Sequence, residues 1–291
     1  MKLAIPFFKS EAKRAPCLLR KDPVFVLGAH RSGTSVLAGM LEPLALSVGR
    51  TVMPPSEENP KGYYENKAVT DLHDQFFAQI RRCWSDPVPL EAAQFEGRAA
   101  RRFRRDLPPL LETEFGDTRP LIKDPRLCVL LPLWLPLMQT NFPEARFVLP
   151  IRHPLEVAFS LRKRDRFILG HGLAIWTIHV LEAERATRSF PRFFSSYEEL
   201  LGSPVETLRE LAQGLGLPIT GISPAIEQQV DLNLRHHRQL TWPPDEPHED
   251  LMSAIHRTLT SHAPGMEREL DRLRQEYYRR LAASPPAVGE G

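Results

Sequence analysis

The chain has 291 residues, 38 Lys and Arg against 36 Asp and Glu, and a formal net charge of +2. Its 42% hydrophobic and 25% charged residues are ordinary globular usage, which excludes general disorder, and the near balance of charge excludes a protein that coats nucleic acid. The length suits one large domain or two small ones, with ample room for a buried core.

In chain order, residues 1–22 alternate basic residues with an apolar patch, Leu3–Phe8, too short for a secretory core, and are expected to be a flexible N-terminal segment. Pro23-Val-Phe-Val-Leu-Gly28 is a short apolar run ending at glycine and reads as a buried parallel strand. The loop Gly28-Ala-His-Arg-Ser-Gly-Thr-Ser35 follows, then an apolar periodic segment, Val36–Leu46, read as helix. Helices are expected over Asn66–Cys83 and Gly97–Phe115, and a strand over Pro120–Asp124. Leu127–Met138 is the most apolar stretch; Pro132 and Pro136 interrupt it and it is too short to span a bilayer, so it reads as a buried helix or turn. A second strand–turn–helix unit follows: Ala145–Ile151, Arg152-His153, then Pro154 at a helix's first turn and helix through Leu155–Arg164. Gly172–Ser189 and Val205–Leu215 read as helix, and Arg192–Ser195 as a strand leading into Tyr197–Leu201. A C-terminal helical segment, residues 248–281, closes a single domain over residues 23–281; residues 282–291 are expected to be a disordered tail. Strands alternating with helices predict an α/β fold with an open, mostly parallel sheet, whose ligands collect at the carboxyl ends of the strands.

Gly28–Ser35 has the length and glycine positions of a phosphate-binding loop, in which backbone N–H groups and the following helix N-terminus face an anion. The Walker pattern places Lys after its last glycine. Here that position is Thr34, and the cation is Arg31, inside the loop. The loop therefore predicts a phosphate site and disfavours triphosphate chemistry.

This loop, Arg31-Ser-Gly-Thr-Ser35, resembles the 5′-phosphosulfate loop of sulfotransferases that use 3′-phosphoadenosine 5′-phosphosulfate (PAPS). In that family a second strand–turn–helix carries an Arg and, eight residues on, a Ser that bind the 3′-phosphate; Arg152 and Ser160 match. Ser196-Tyr-Glu-Glu-Leu-Leu201 is similar to a Tyr-Glu motif that places Tyr197 near the adenine. Lys123-Asp-Pro-Arg126 is similar to a Lys-x-Pro element whose Lys approaches the transferring sulfonate. The resemblance runs in order over about Val24–Leu201. Beyond it, Arg235-His-His-Arg238 makes Arg235 and Arg238 candidates to face the nucleotide. The fold implied is a P-loop-like sulfotransferase architecture; the donor is PAPS and the product 3′-phosphoadenosine 5′-phosphate. Two anion sites at one sheet edge also suit a 3′,5′-bisphosphorylated nucleotide better than ATP, whose phosphates form one chain.

In that chemistry Arg31 and Lys123 neutralise the leaving and transferring oxygens, and Ser32, Gly33, Thr34 and Ser35 complete the cradle. The scheme requires no metal, and no ligand spacing proposes one. A hydroxyl acceptor needs a base. Glu65, in Tyr63-Tyr-Glu65-Asn66, is the first candidate, desolvated by Tyr63 and Tyr64; the alternative is that it caps the helix beginning near Asn66. His73 is the second and Asp124 the third; the favoured reading of Asp124 is that it orients Lys123 or Arg126. Tyr63, Tyr64, Trp84 and Trp176 are candidates for acceptor wall or core. Arg98, Arg101, Arg102, Arg104 and Arg105 read as a solvated helix face, with capture of an acidic glycan as the alternative. Arg162–Arg166 follows the second phosphate unit and either extends the nucleotide site or favours that helix's C-terminus. Cys17, Cys83 and Cys128 form no disulfide or metal pattern, as expected of a cytoplasmic protein. The acceptor, whether carbohydrate, lipid, peptide or small molecule, is not legible, and a homodimer is left open. A small-molecule kinase and a non-catalytic nucleotide-binding protein on the same fold are the competing readings.

Overall fold

The apolar run before Gly28 forms the central strand, β1 (Val24–Val26), whose three side chains are fully buried. In this computed structural model, which describes residues 19, 21–57, 59–220, 222, 226, 241–243, 246, 249–261 and 263–283, it is flanked by β3 (Arg119–Lys123) and β4 (Arg146–Ile151). The edges are β2 (Leu46–Ser47) and β5 (Arg192–Ser196), in the order β2-β3-β1-β4-β5. Every pairing is parallel, with Val26 opposite both Lys123 and Val148, and Ile151 opposite Ser196. The fold is thus an open parallel sheet flanked by helices. The strands are apolar because helices cover both of their faces.

On one face lie α1 (Thr34–Leu41), α7 (Tyr197–Gly202) and α8 (Pro204–Gly214), whose apolar residues share a core with Val24, Val26, Leu121 and Val148. On the other lie α2 (Lys67–Gln79), α3 (Arg98–Phe115), α4 (Leu127–Asn141), α5 (Pro154–Asp165) and α6 (Leu169–Ala186), around Phe25, Ile122 and Phe147. Phe25 stacks on Phe147 at 4.9 Å and meets the edge of Trp134 at 5.6 Å.

Several boundaries differ from expectation: α2 ends at Gln79 and not Cys83, and α6 begins at Leu169 and ends at Ala186. The segment read as helix to Leu46 stops at Leu41; a short 3-10 turn containing Pro43 and a left-handed Ala45 (φ 58°) turn the chain into β2. The C-terminal segment is two helices, α9 (Glu249–Ser261) and α10 (Met266–Ala283), divided at Pro264-Gly265, where Gly265 has φ 84°. Both pack on this chain: Met252, Ile255, Leu259, Leu273 and Tyr277 are buried in the same core as β4 and α6. α10 runs to Ala283, two residues past the expected end of the C-terminal helical segment. Residues 1–18 and 284–291 lie outside the described residues. Leu127–Met138 is helix, with Trp134 and Met138 buried. No described helix is long and apolar enough to cross a membrane.

Candidate functional site

The strand order brings four separate chain segments to one edge. Lys123 ends β3, the glycine loop leaves β1, Arg152 follows β4 and Tyr197 follows β5. They line a single cavity of about 470 Å³, together with His30, Tyr63, Glu65, Trp84, Arg126 and Arg164.

The loop is shaped by local backbone constraints. Arg31 (φ 70°) and Gly33 (φ 88°) are left-handed, and Gly33 is the N-cap of α1 with no side chain capping the helix. The first N–H groups of α1 therefore have no partner within the helix. A Cβ at Gly33 would lie 2.6 Å from the Tyr197 ring. Only glycine fits there, and the ring sits directly on the backbone. Ser32 Oγ is buried without a hydrogen-bond partner.

The second unit meets the first. Arg31 Nε donates to Ser160 Oγ at 2.9 Å, and Arg152 Nη1 donates to the Arg31 carbonyl at 2.8 Å. Arg152 is nearly buried; Glu156 accepts its Nε at 2.9 Å, and its guanidinium stands 4.3 Å over the Tyr197 ring. Trp176, one of the aromatic candidates, is core: it is fully buried and its Nε1 donates to the Arg152 carbonyl at 3.0 Å, fixing that turn.

On the opposite side, Lys123 Nζ donates to Glu65 Oε1 at 2.5 Å and to Ser35 Oγ at 3.3 Å. Arg126 Nη1 stands 3.8 Å from Glu65 Oε2. Burial pushes the Glu65 carboxyl above the usual range, and the charges of Lys123 and Arg126 offset only part of that. Glu65 does not cap α2. Asn66 does, accepting the Val69 N–H at 3.0 Å, while its Nδ2 donates to Glu114 at 2.7 Å. Glu114 also accepts from the backbone N–H groups of Arg50 and Thr51 and from the Thr51 hydroxyl. The wall bearing Glu65 is therefore tethered to α3. Tyr63 and Trp84 line the cavity; Tyr64 instead packs on Gly39.

The structure does not bring His73 to the cavity. It is fully buried, its Nδ1 2.7 Å from Asp124 Oδ2 and its Nε2 accepting from Trp134 Nε1 at 3.0 Å. Asp124 is likewise buried. Arg235 and Arg238 lie outside the described residues. Four of the five arginines of α3 are paired locally: Arg101 and Arg104 with the carbonyls of Glu96 and Phe95, Arg102 and Arg105 with Asp106. Of Arg162–Arg166, Arg164 lines the cavity, 5.5 Å over the Trp84 ring. The sequence motifs assign no role to His30, and to Arg126 only that of a partner for Asp124. His30 lies 4.0 Å from Trp84 with its Nε2 buried and unpartnered, and burial, reinforced by Arg164 and Arg126, keeps its imidazole well below the ordinary histidine range. Arg126 stood in the quoted Lys123-Asp-Pro-Arg126 motif, which was the available signal.

Residues 23–221 match the model of the sulfotransferase family. The chain belongs to that family. This sulfotransferase is similar to several solved structures. A sulfotransferase from Alicyclobacillus acidocaldarius is 14% identical and aligns with TM-score 0.46 over 91% of this chain and 99% of its own. The sulfotransferase domain from the curacin biosynthetic pathway is 16% identical, TM-score 0.44, over 91% and 98%. The sulfotransferase STF1 from Mycobacterium tuberculosis is 18% identical, TM-score 0.40, over 73% and 71%. A comparison with curated proteins found no match. Membership of the family makes sulfuryl transfer to an acceptor the general activity of this sulfotransferase.

Proposed function

We propose that the donor is PAPS and that the sulfuryl group passes to a hydroxyl or amine of an acceptor by in-line displacement. The Arg31–Ser160 hydrogen bond, 2.9 Å, carries this reading. It joins the loop after β1 to the helix after β4, so two anion-binding elements border one cavity. A donor with two separated phosphate-bearing ends spans such a pair, and the fit is local as well. The orphaned Ser32 hydroxyl, the open N-terminus of α1 and the close-set Gly33 backbone suit an anion at the loop. Arg152 and Ser160 suit the 3′-phosphate, and Tyr197 and the backbone it covers suit the base.

The donor supplies a sulfuryl group on a phosphate leaving group. Glu65 takes the acceptor's proton through Oε2, the oxygen that does not face Lys123. The new bond forms between acceptor and sulfur as the sulfur–oxygen bond to phosphate breaks, leaving the electron pair on the phosphate oxygen. Arg31 and the α1 N-terminus neutralise that charge, and Lys123 neutralises the equatorial oxygens. Tyr63, Trp84 and Arg164 face the acceptor. The acceptor is a carbohydrate, lipid, peptide or small molecule, and the protein is read as cytoplasmic and metal-independent, with residues 23–281 as one domain.

Calorimetry with 3′-phosphoadenosine 5′-phosphate, ADP and ATP, with and without magnesium, tests this. Tight, magnesium-independent binding of the bisphosphate alone is the expected result. Equal affinity for ADP removes the two-site argument, and magnesium-dependent ATP binding replaces it with a kinase.

A further inference from the structure

The side chains of His73, Asp124 and Arg126 form an ordered chain that starts in the core and ends at Glu65. Indole N–H only donates, so the bond from Trp134 to His73 Nε2 makes Nε2 the acceptor and leaves the hydrogen on Nδ1. Nδ1–H then donates to Asp124 Oδ2. The other oxygen, Oδ1, accepts from the backbone N–H of Arg126 at 2.9 Å and from its Nη1 at 3.0 Å. The far edge of the Arg126 guanidinium forks onto Asp74 at 2.6 and 3.1 Å. Nη1 is thus the atom shared between Asp124 and, at 3.8 Å, Glu65 Oε2. Phe103 stacks on the His73 ring at 5.6 Å and holds its plane.

We infer that His73 is a positioning residue: by holding Asp124 it apportions the Arg126 guanidinium between Asp124 and Glu65, and so sets how readily Glu65 takes a proton. The inference rests on the reading of Glu65 as proton acceptor. The charged groups facing Glu65 are Lys123 from β3 and Asp124 and Arg126 from the turn into α4; Asp74 from α2 acts through Arg126, and His30 faces the same charges from the loop. Burial alone would raise the Asp124 carboxyl, but Arg126 and the His73 hydrogen bond together drive it far below the usual range. Removing the His73 donor strengthens the field of Asp124 at Glu65 and draws Nη1 towards Asp124. Both changes raise the proton affinity of Glu65.

Two measurements decide it. In the unmodified protein, long-range ¹⁵N–¹H spectra of labelled histidine should show His73 as the Nδ1–H tautomer; the Nε2–H tautomer overturns the inference. Titration of the Glu65 carboxyl by ¹³C NMR, assigned by its loss in E65Q, is then compared between the unmodified protein and H73F. The midpoint should rise by about half to one pH unit in H73F, and H73N, which restores a donor near the Nδ1 position, should return it. An unmoved midpoint in a natively folded H73F overturns the inference. Should H73F not fold, H73Q, whose donor reaches only the Nε2 position, is set against H73N; equal midpoints overturn it. Because the readout is the carboxyl and not turnover, a moved midpoint beside a fully active E65Q removes Glu65 as base yet leaves the coupling standing.

Discussion

The Tyr197 ring closes on the Cα of Gly33, so that residues following β5 and β1, strands separated by β4, share one surface. On the same ring rests the Arg152 guanidinium. Loop, aromatic and cation form one stack. Gly33→Ala adds a methyl group 2.6 Å from ring carbons at φ 88°. We expect a loss of about 1–3 kcal/mol in stability, with a fall in bisphosphate affinity as the ring is displaced, read by thermal melting and calorimetry. Unchanged affinity would separate the ring from the nucleotide.

Arg152→Ala should abolish the preference for 3′-phosphoadenosine 5′-phosphate over ADP. It also strands Glu156, which is nearly buried against it, and an uncompensated buried charge costs about 3–5 kcal/mol. The double variant R152A/E156Q removes that penalty. It should recover the melting temperature without recovering the preference. Recovery of both would make Arg152 purely structural.

Glu65→Gln should lower kcat by roughly 10²- to 10⁴-fold, the usual worth of a general base, with bisphosphate affinity intact. The sign of the pH dependence follows from burial. On the proposed reading the base form of Glu65 is required, and burial raises its carboxyl above the ordinary range. Turnover should therefore fall on acidification with a midpoint above about 4.3, the free glutamate value. That limb should vanish in Glu65→Gln. Its persistence would assign it to another group.

Much of this arrangement is visible in the chain alone. The inner strands are legible because burial on both faces makes them apolar runs ending at Gly28, Lys123 and Arg152. Arg152 and Ser160 are legible because one strand–turn–helix unit carries both, at a fixed spacing. β2 escaped notice because two residues carry no period, and the left-handed Ala45 that aims them has no sequence signature. His73 shows the opposite failure. It falls on the buried face of α2 with Val69 and Phe76, but helical spacing says nothing of Trp134 and Asp124, which occupy both its nitrogens. Arg164 and His30 enter the cavity by packing between distant segments, which no local pattern encodes.

Glu114 governs the wall that carries Glu65. Burial pushes its carboxyl up, but the hydrogen bonds from Asn66, Thr51 and Arg50 outweigh that and hold it below the usual range. A carboxyl lowered on folding stabilises the protein above its unfolded value, about 4.3, and loses that contribution as pH falls through the lower folded value. Glu114→Gln should melt at a lower temperature at neutral pH and show a shallower loss of melting temperature in acid. A parallel acid profile would show that the tether contributes nothing.

The gripping residues and the wall opposite them are secured differently. Lys123, the glycine loop and Arg152 hang from three interior strands, where a shift in any one disturbs its neighbours on both sides. The opposite wall belongs to no strand of the sheet: its two flanks are held by the Glu114 tether and the bridge of Val52 to Asn66, and between them side chains make the joins, Lys123 to Glu65, Asn59 to Ser35 and Tyr64 against Gly39. On the proposed reading, substitutions there other than at Glu65 can reshape the acceptor's side while the interior grip stays unaltered; diversification would be cheap on one bank of the cavity and costly on the other.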